Sequence, residues 1–420
     1  MPLAVNNLFF EYLTILPLFV IAAILLAIFV YFWVLYITYR YLVSQKWSLL
    51  EIIAPREIKV SPKAMEQLLA GFHGMVKLPT LIEVWIQGFS KHRFSLEFLG
   101  RNGEMHFLIR VQKEYTSLAK ANIYAQYPDA EIIEVKDYSK EIPVNVPNRD
   151  WDLWGTEFRQ TNRDWSYPIR TYKYFEDKLA DEENIDPMAS IAEVFSHLKL
   201  GEQMWVQIVC TATHEKWQEQ TNATIAKLAG KPESALKGSW ADRVDNFFQW
   251  LVWEPRKLFG MIVPQASKKE EKAALPSRMQ YLTEGEKATI AAIEEKSGKF
   301  GFNAKIRFIY AGKREAFSRA ILASFLGAWK QFSTLDLNGF MPDFPYTTAI
   351  RYLMKNLRLA YRQRRILMRY RSRSVSGTNP YILNIEELAT LFHFPSAYAK
   401  APGLARVEAK RGSAPANLPV

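Results

Sequence analysis

Hydrophobic and polar positions along this chain change period several times, and each change marks an element. The first pattern is not periodic at all. From Tyr12 to Tyr39 no residue is charged across 28 positions, and about 20 apolar residues suffice for a helix to cross a hydrocarbon core. Tyr31, Trp33, Tyr36 and Tyr39 gather at the end of the run, as an interfacial aromatic belt does. A transmembrane helix is expected at 13–39, after a short extracytoplasmic N-terminus at 1–12. A signal peptide would carry a positive n-region and a shorter apolar core; no Lys or Arg precedes this run. Only Glu11 stands before it, whereas Arg40, Lys46, Arg56 and Lys59 follow. The positive-inside rule then puts the bulk of the chain in the cytoplasm, the N-terminus outside, and the single pass in the plasma (inner) membrane.

Beyond the run, strand-like and helix-like periods alternate. The stretches 48–55, 80–89, 93–100, 105–111 and 130–135 read as strands. Helices are expected after Ser61-Pro62 and over 113–127, the latter stopped by Pro128. Arg101-Asn102-Gly103-Glu104 carries the Asn-Gly hairpin signal. This order, β-α-β-β(-β)-α-β over 47–140, is the split βαβ, ferredoxin-like plan. A second such order spans 169–340. It has strands at 169–175, 202–213, 302–312 and 333–340, and helices at 186–199 and 313–329. Asp186 caps the first of these helices and Pro187 opens it. The expected fold is therefore α+β: a transmembrane helix, two ferredoxin-like (split βαβ) domains, a basic amphipathic helix at 345–374, and a C-terminal joint and tail at 380–420.

Two segments interrupt that plan. A Trp- and Pro-rich linker is expected at 141–168, with Trp151, Trp154 and Trp165 packed on a domain. A long helical insertion occupies 214–300. Its apolar cluster, with Trp240, Phe247, Phe248, Trp250, Trp253 and Phe259, is a candidate for docking on the membrane interface or a partner.

Composition narrows the chemistry. The single cysteine, Cys210, excludes an internal disulfide and a Cys-based metal site. Net charge is +11, but 351–373 holds nine Lys/Arg and no acid, which leaves only +2 for the remainder. Within that stripe Arg351, Lys355, Arg358, Arg362, Arg365, Arg369, Arg371 and Arg373 are candidate contacts for an anionic partner. Apolar residues recur beside them at Ile350, Leu353, Leu357, Tyr361 and Leu367/Met368, and tyrosines are interleaved. Three readings stay open: nucleic acid, anionic lipid or an acidic partner, or a solvated face. The three Gly-Lys pairs precede Pro232, Phe300 and Arg314, so none is a phosphate-binding Walker loop. No two of the six histidines stand three or four residues apart on a helix, as a zinc pair requires. No catalytic residue, metal or cofactor is expected.

Near the end, Leu383-Asn384-x-Glu386-Glu387-Leu388-Ala389-x-Leu391-x-His393-x-Pro395 is followed by Ala414-Pro415-Ala416-Asn417-Leu418-Pro419. Over these residues, and more loosely over "ANIYAQYPDAEIIEV", the chain resembles the N-terminal, membrane-anchored, non-motor region of type IV secretion and conjugation-class (HerA-like) DNA-translocating ATPases. The resemblance implies DNA or protein translocation at a membrane. A P-loop motor would follow such a segment, and the sequence stops at Val420 before one. The expectation is thus a non-catalytic scaffold whose ATPase is a separate polypeptide, or one piece of a split product, acting within an oligomer. Asn384, Glu387, Leu388, Leu391, His393 and Pro395 are the candidate motor joint. Asn384 and Glu387 read as a capping box, and Leu388, Leu391 and Phe392 as a docking side. An enzyme with an unrecognised site in the Trp-rich linker or insertion, or a lipid-interacting protein unrelated to DNA, is the alternative.

Overall fold

A computed structural model describes residues 2–55, 61–75, 77, 79–175, 186–213, 217–230, 282–350, 352, 354–395 and 406–407. The interface cluster Trp240, Phe247, Phe248, Trp250, Trp253 and Phe259, and Arg351 of the basic stripe, lie outside the described residues. The chain forms two units. One comprises Met1–Gln45 and Lys77–Lys91, together with 234–273, which lie outside the described residues. Its main element is helix α1 (Pro2–Ser44). The 21-residue stretch Ile24–Ser44 is long and apolar enough to cross a membrane, a property that a signal sequence near an N-terminus shares.

The second unit is a mixed α+β body around one sheet. Its strands are β1 (Trp47–Pro55), β2 (Phe94–Arg101), β3 (Glu104–Gln112), β4 (Glu131–Val135), β5 (Trp151–Gln160), β6 (Glu202–Ala212), β7 (Gly301–Lys313), β8 (Phe340–Pro342), β9 (Tyr381–Asn384) and β10 (Arg406–Val407). The order runs β1-β3-β2-β6-β7-β5-β8, with β4 and β10 on β1 and β9 on β7. Every neighbouring pair is antiparallel except β1 with β10. The first half therefore reads β4-β1-β3-β2 and the second β6-β7-β5-β8. They join where β2 pairs with β6, Phe94 opposite Cys210 through Arg101 opposite Gln203.

Besides α1, the α-helices among the described residues are α2 (Lys63–His73), α3 (Leu81–Trp85), α4 (Thr116–Gln126), α5 (Pro187–Ser196), α6 (Trp217–Leu228), α7 (Glu284–Ser297), α8 (Ala320–Trp329), α9 (Lys355–Arg371) and α10 (Ile385–Leu391). One face of the sheet (Leu96, Phe98, Ile208, Ile306, Phe308) is covered by α2, α4, α5, α8 and α10. The other (Leu99, Leu108, Leu153, Trp205, Ile309) lies under Tyr138, Ile142, Val146 and the α9 residues Ile366, Leu367 and Tyr370. Each fully buried aliphatic or aromatic side chain contributes about 1.5–3 kcal/mol, so α9 is held as firmly as a core helix.

Four expected elements come out differently. The run 80–89 contains helix α3, because the Thr80 hydroxyl accepts from Glu83 N and the Glu83 carboxylate accepts from Thr80 N at 2.9 Å. That reciprocal cap favours a helical turn over the strand its apolar residues suggest. The expected linker contains β5, paired with β7 and β8. Its Trp154 packs on Phe308, and Trp165 beyond it on Trp217. The stretch 169–175 is a 3-10 turn, Tyr172–Tyr174. Two of its amides are taken by side chains, Ile169 N donating to Glu387 Oε1 and Tyr172 N to Thr390 Oγ1, both at 2.9 Å, and Arg170 N donates to the Phe332 carbonyl at 3.1 Å. The stretch 333–340 reaches strand geometry only at Phe340, since the Asn338 side chain engages the amides of Asn162 and Gly339.

The C-terminal segment forms its helix with the capping box in place: Glu387 N donates to Asn384 Oδ1 at 2.8 Å and Asn384 N to Glu387 Oε2 at 2.9 Å. Its docking side meets this chain's own core. Leu388 and Leu391 are fully buried, Phe392 stacks on Phe98, and His393 bonds Asp186 and the Ala389 carbonyl. Pro395 follows the last packed aromatic, Phe394. Beneath them Lys296 Nζ stands 3.1 Å from Glu387, both side chains at 0 % exposure. Burial pushes the Glu387 carboxyl up and the Lys296 ammonium down. Removing one partner from a buried pair costs about 3–5 kcal/mol. Lys296→Met is expected to lower stability by that amount in urea titrations of the detergent-solubilised chain, and Lys296→Met with Glu387→Gln to recover most of it.

Candidate polyanion-binding groove

The basic stripe folds as α9, though it starts later and packs on a different side than its sequence suggests. A 3-10 turn, Phe344–Tyr346, precedes it. The buried side is Gln363, Ile366, Leu367 and Tyr370, whereas Leu357, Tyr361 and Met368 are exposed. The reason lies in the sheet below. Glu97 on β2 stands opposite Gln207 on β6, Gln207 opposite Arg307 on β7, and Arg307 opposite Glu157 on β5. Four polar side chains thus form one row across four adjacent strands, all buried.

That row draws α9 and the turn after it into place. Arg307 Nε donates to Glu157 Oε1 at 3.0 Å. Gln207 Nε2 donates to Glu97 Oε1 at 3.0 Å and to the Tyr370 carbonyl at 3.1 Å. Arg373 forks onto Glu97, both bonds at 2.9 Å, and its Nη1 reaches Asp137 at 2.5 Å. Tyr138 donates to Glu97 Oε2 at 2.8 Å, and its hydroxyl meets that of Tyr370 at 2.7 Å. Burial alone would raise the Glu97 carboxyl, yet the Arg373 guanidinium with its hydrogen bonds holds it below its ordinary value.

The seven expected anion contacts among the described residues therefore separate by position; Arg351 lies outside them. Arg373 is buried in the row. Arg371 donates to the carbonyls of Ser139 and Ile142. Arg362 Nη1 gathers three carbonyls, Phe344, Thr347 and Ala349, at 2.8–3.2 Å. Arg369 lies over the Tyr346 ring at 4.9 Å and 3.6 Å from Glu157. Arg365 contacts the ring and hydroxyl of Tyr361. Lys355 and Arg358 are exposed, with no carboxylate partner among the described residues.

Arg358, Arg362, Arg365 and Arg369 recur at four-, three- and four-residue steps, one stripe of a helix. With Pro345, Tyr346, Tyr361 and Ile366 they line a groove of about 260 Å³. Among the described residues no carboxylate lines it, and Glu157 approaches it at Arg369. Four guanidiniums converging with two tyrosine rings suit planar, bidentate recognition of phosphate or carboxylate.

Sequence reasoning missed Tyr346, Glu157 and the rest of the row. A signal existed: Glu97, Gln207 and Arg307 each sit mid-strand between apolar neighbours, where an unpaired charge would be too costly to bury.

The model of a family described as a domain of unknown function (DUF8128) matches residues 41–406. The chain belongs to this family. A comparison with curated proteins finds no match. The DUF8128 region takes in β1–β9, the buried row and the groove.

Lys305, also buried on β7 of that region, donates to the Val375 carbonyl at 2.7 Å. Burial first, then Arg307 and Arg369, push its ammonium down to about 8 from the ordinary 10.5, against the pull of Glu157. Between those values the unfolded chain holds a proton that the folded chain lacks, so this lysine makes stability rise with pH from about 8 to 10.5. Urea midpoints measured across that window are expected to rise less in Lys305→Met than in the parent.

Proposed function

We propose that this chain is a membrane-anchored scaffold rather than an enzyme. In this reading α1 crosses the inner membrane, the sheet unit lies on the cytoplasmic side, and the outer half of α9 holds DNA phosphates near a DNA-translocating ATPase carried by a separate chain. The two halves of the sheet are read as two ferredoxin-like units fused edge to edge. The orders β4-β1-β3-β2 and β8-β5-β7-β6, each with two crossover helices, support that assignment.

The observation that carries the functional reading is the groove: four arginines on one helical stripe beside Tyr346 and Tyr361. Arg362 and Arg369 are tied to the protein and form its floor, while Arg358 and Arg365 are exposed and free to meet a ligand. Phosphate neutralisation releases counterions, so binding depends on salt with a slope of about 0.9 per duplex phosphate. Support for the motor partner comes from the resemblance of the Asn384–Pro395 segment, although its helix packs inside this chain. A partner would therefore meet another surface.

Arg358→Ala with Arg365→Ala is expected to weaken DNA binding at every sequence and to cut the salt slope by about 2. Fluorescence anisotropy of the chain in zwitterionic nanodiscs reads both. Binding to anionic liposomes with no DNA affinity at low salt would overturn the DNA assignment in favour of a lipid headgroup. Native pull-down of the full chain is expected to recover a P-loop ATPase encoded beside it; failure to recover one removes the motor from the proposal.

A further inference from the structure

The unit that contains α1 carries a second surface, independent of the groove. Helix α3 and the residues after it, through Phe89, are fastened along α1 by three contacts among the described residues. The Trp33 indole donates to the Trp85 carbonyl at 3.0 Å. Gly88 has φ +73°, and a Cβ there would fall 2.3 Å from the Ile37 carbonyl, so only glycine allows the two backbones to meet. The rings of Tyr41 and Phe89 lie 5.7 Å apart. Trp33, Ile37 and Tyr41 are four residues apart and share one side of α1.

Fastened in this way, α3 still leaves apolar side chains uncovered. Leu81, Ile82 and Ile86 are 51 %, 61 % and 60 % exposed. At the same level of α1, Phe29, Phe32 and Tyr36 are exposed too. Trp33 stands seven residues before Arg40, the first charge after the apolar run, which at 1.5 Å per residue is about 10 Å along the helix. An interfacial helix buries its apolar face about 5–10 Å into the boundary between headgroups and acyl chains. The polar groups of the segment fit that depth. Glu83 is paired with Lys77 at 2.5 Å and accepts from the Thr80 amide at 2.9 Å, so the carboxylate beside the apolar side chains is satisfied within the segment.

From this geometry we infer that α3 is an interfacial lipid-binding element: Leu81, Ile82 and Ile86 insert at the headgroup–acyl boundary beside α1. The inference rests on α1 being a membrane anchor. It gives the segment 77–91 a task that charge attraction by α9 does not supply, namely holding the exit of the helix at one depth.

Site-directed spin labelling of the full chain in phosphatidylcholine–phosphatidylglycerol vesicles tests it. Nitroxides are placed through Ile82→Cys, Ile86→Cys, Leu26→Cys and Val144→Cys, one at a time; Cys210 is fully buried and does not take the label. Collision rates with oxygen report lipid, and those with a nickel chelate report water. Labels at 82 and 86 are expected to favour oxygen, at a shallower depth than the label at 26, while the label at 144 favours nickel. If 26 favours oxygen but 82 and 86 collide with nickel as freely as 144, the inference falls and the anchor stands. Shielding of 82 and 86 from both reagents means a protein partner covers α3, which also overturns it. Nickel access at 26 removes the anchor itself.

Discussion

The buried row Glu97–Gln207–Arg307–Glu157 is the constraint around which the rest of the sheet unit is arranged. A charge in a low-dielectric core is tolerated only when paired and hydrogen-bonded. On this row each charge finds its partner on the neighbouring strand or on α9 and the turn that follows it. A register slip of one residue would turn all four side chains to the opposite, apolar face. The row also crosses the seam where β2 meets β6, so the polar contacts that align each half align the halves with one another. That is why both halves form one sheet rather than two sheets with a linker between them.

The same row divides the charges of α9 and the turn after it into two groups. Charges near its C-terminal end are consumed in structure: Arg373 on Glu97 and Asp137, Arg369 on Glu157, and Arg371 on the carbonyls of Ser139 and Ile142. Charges nearer its start are not. Lys355, Arg358 and Arg365 have no carboxylate partner among the described residues. Since Arg362 is locked on three carbonyls, the floor of the groove is preorganised, and little side-chain entropy remains to be lost there on binding an anion. Cations that read as equivalent in sequence are, among the described residues, divided between a structural strut and an exposed edge.

Legibility followed the range of the interactions. Helix starts capped by a side chain two or three residues away were readable, as at Asn384–Glu387 and Asp186–Met188. The Asn102-Gly103 hairpin was readable too, both residues adopting positive φ. At Thr80–Glu83 the same kind of signal was present but was outweighed by the apolar residues around it. Strand β5 escaped because both of its faces are covered, Trp154 and Phe158 in one core and Leu153 in the other, so no polar face marks the period. The stretch 169–175 failed for a different reason: the amides of Ile169 and Tyr172 go to side chains of α10, and that of Arg170 to the Phe332 carbonyl, all far along the chain.

By itself the sequence determined the apolar helix, the alternating α and β elements, the capping boxes and the concentration of positive charge in 351–373. All of these depend on neighbours within a turn or a strand. Tertiary structure alone decided that α10 packs inward, that α9 turns Ile366, Leu367 and Tyr370 to the sheet, and which arginines remain free. The first is set by Lys296 against Glu387 and by Phe98 against Phe392; the others are set by Glu97, Asp137 and Glu157, which approach α9 and the residues after it only once distant strands pair. Burial then makes each unpaired charge too costly to leave alone.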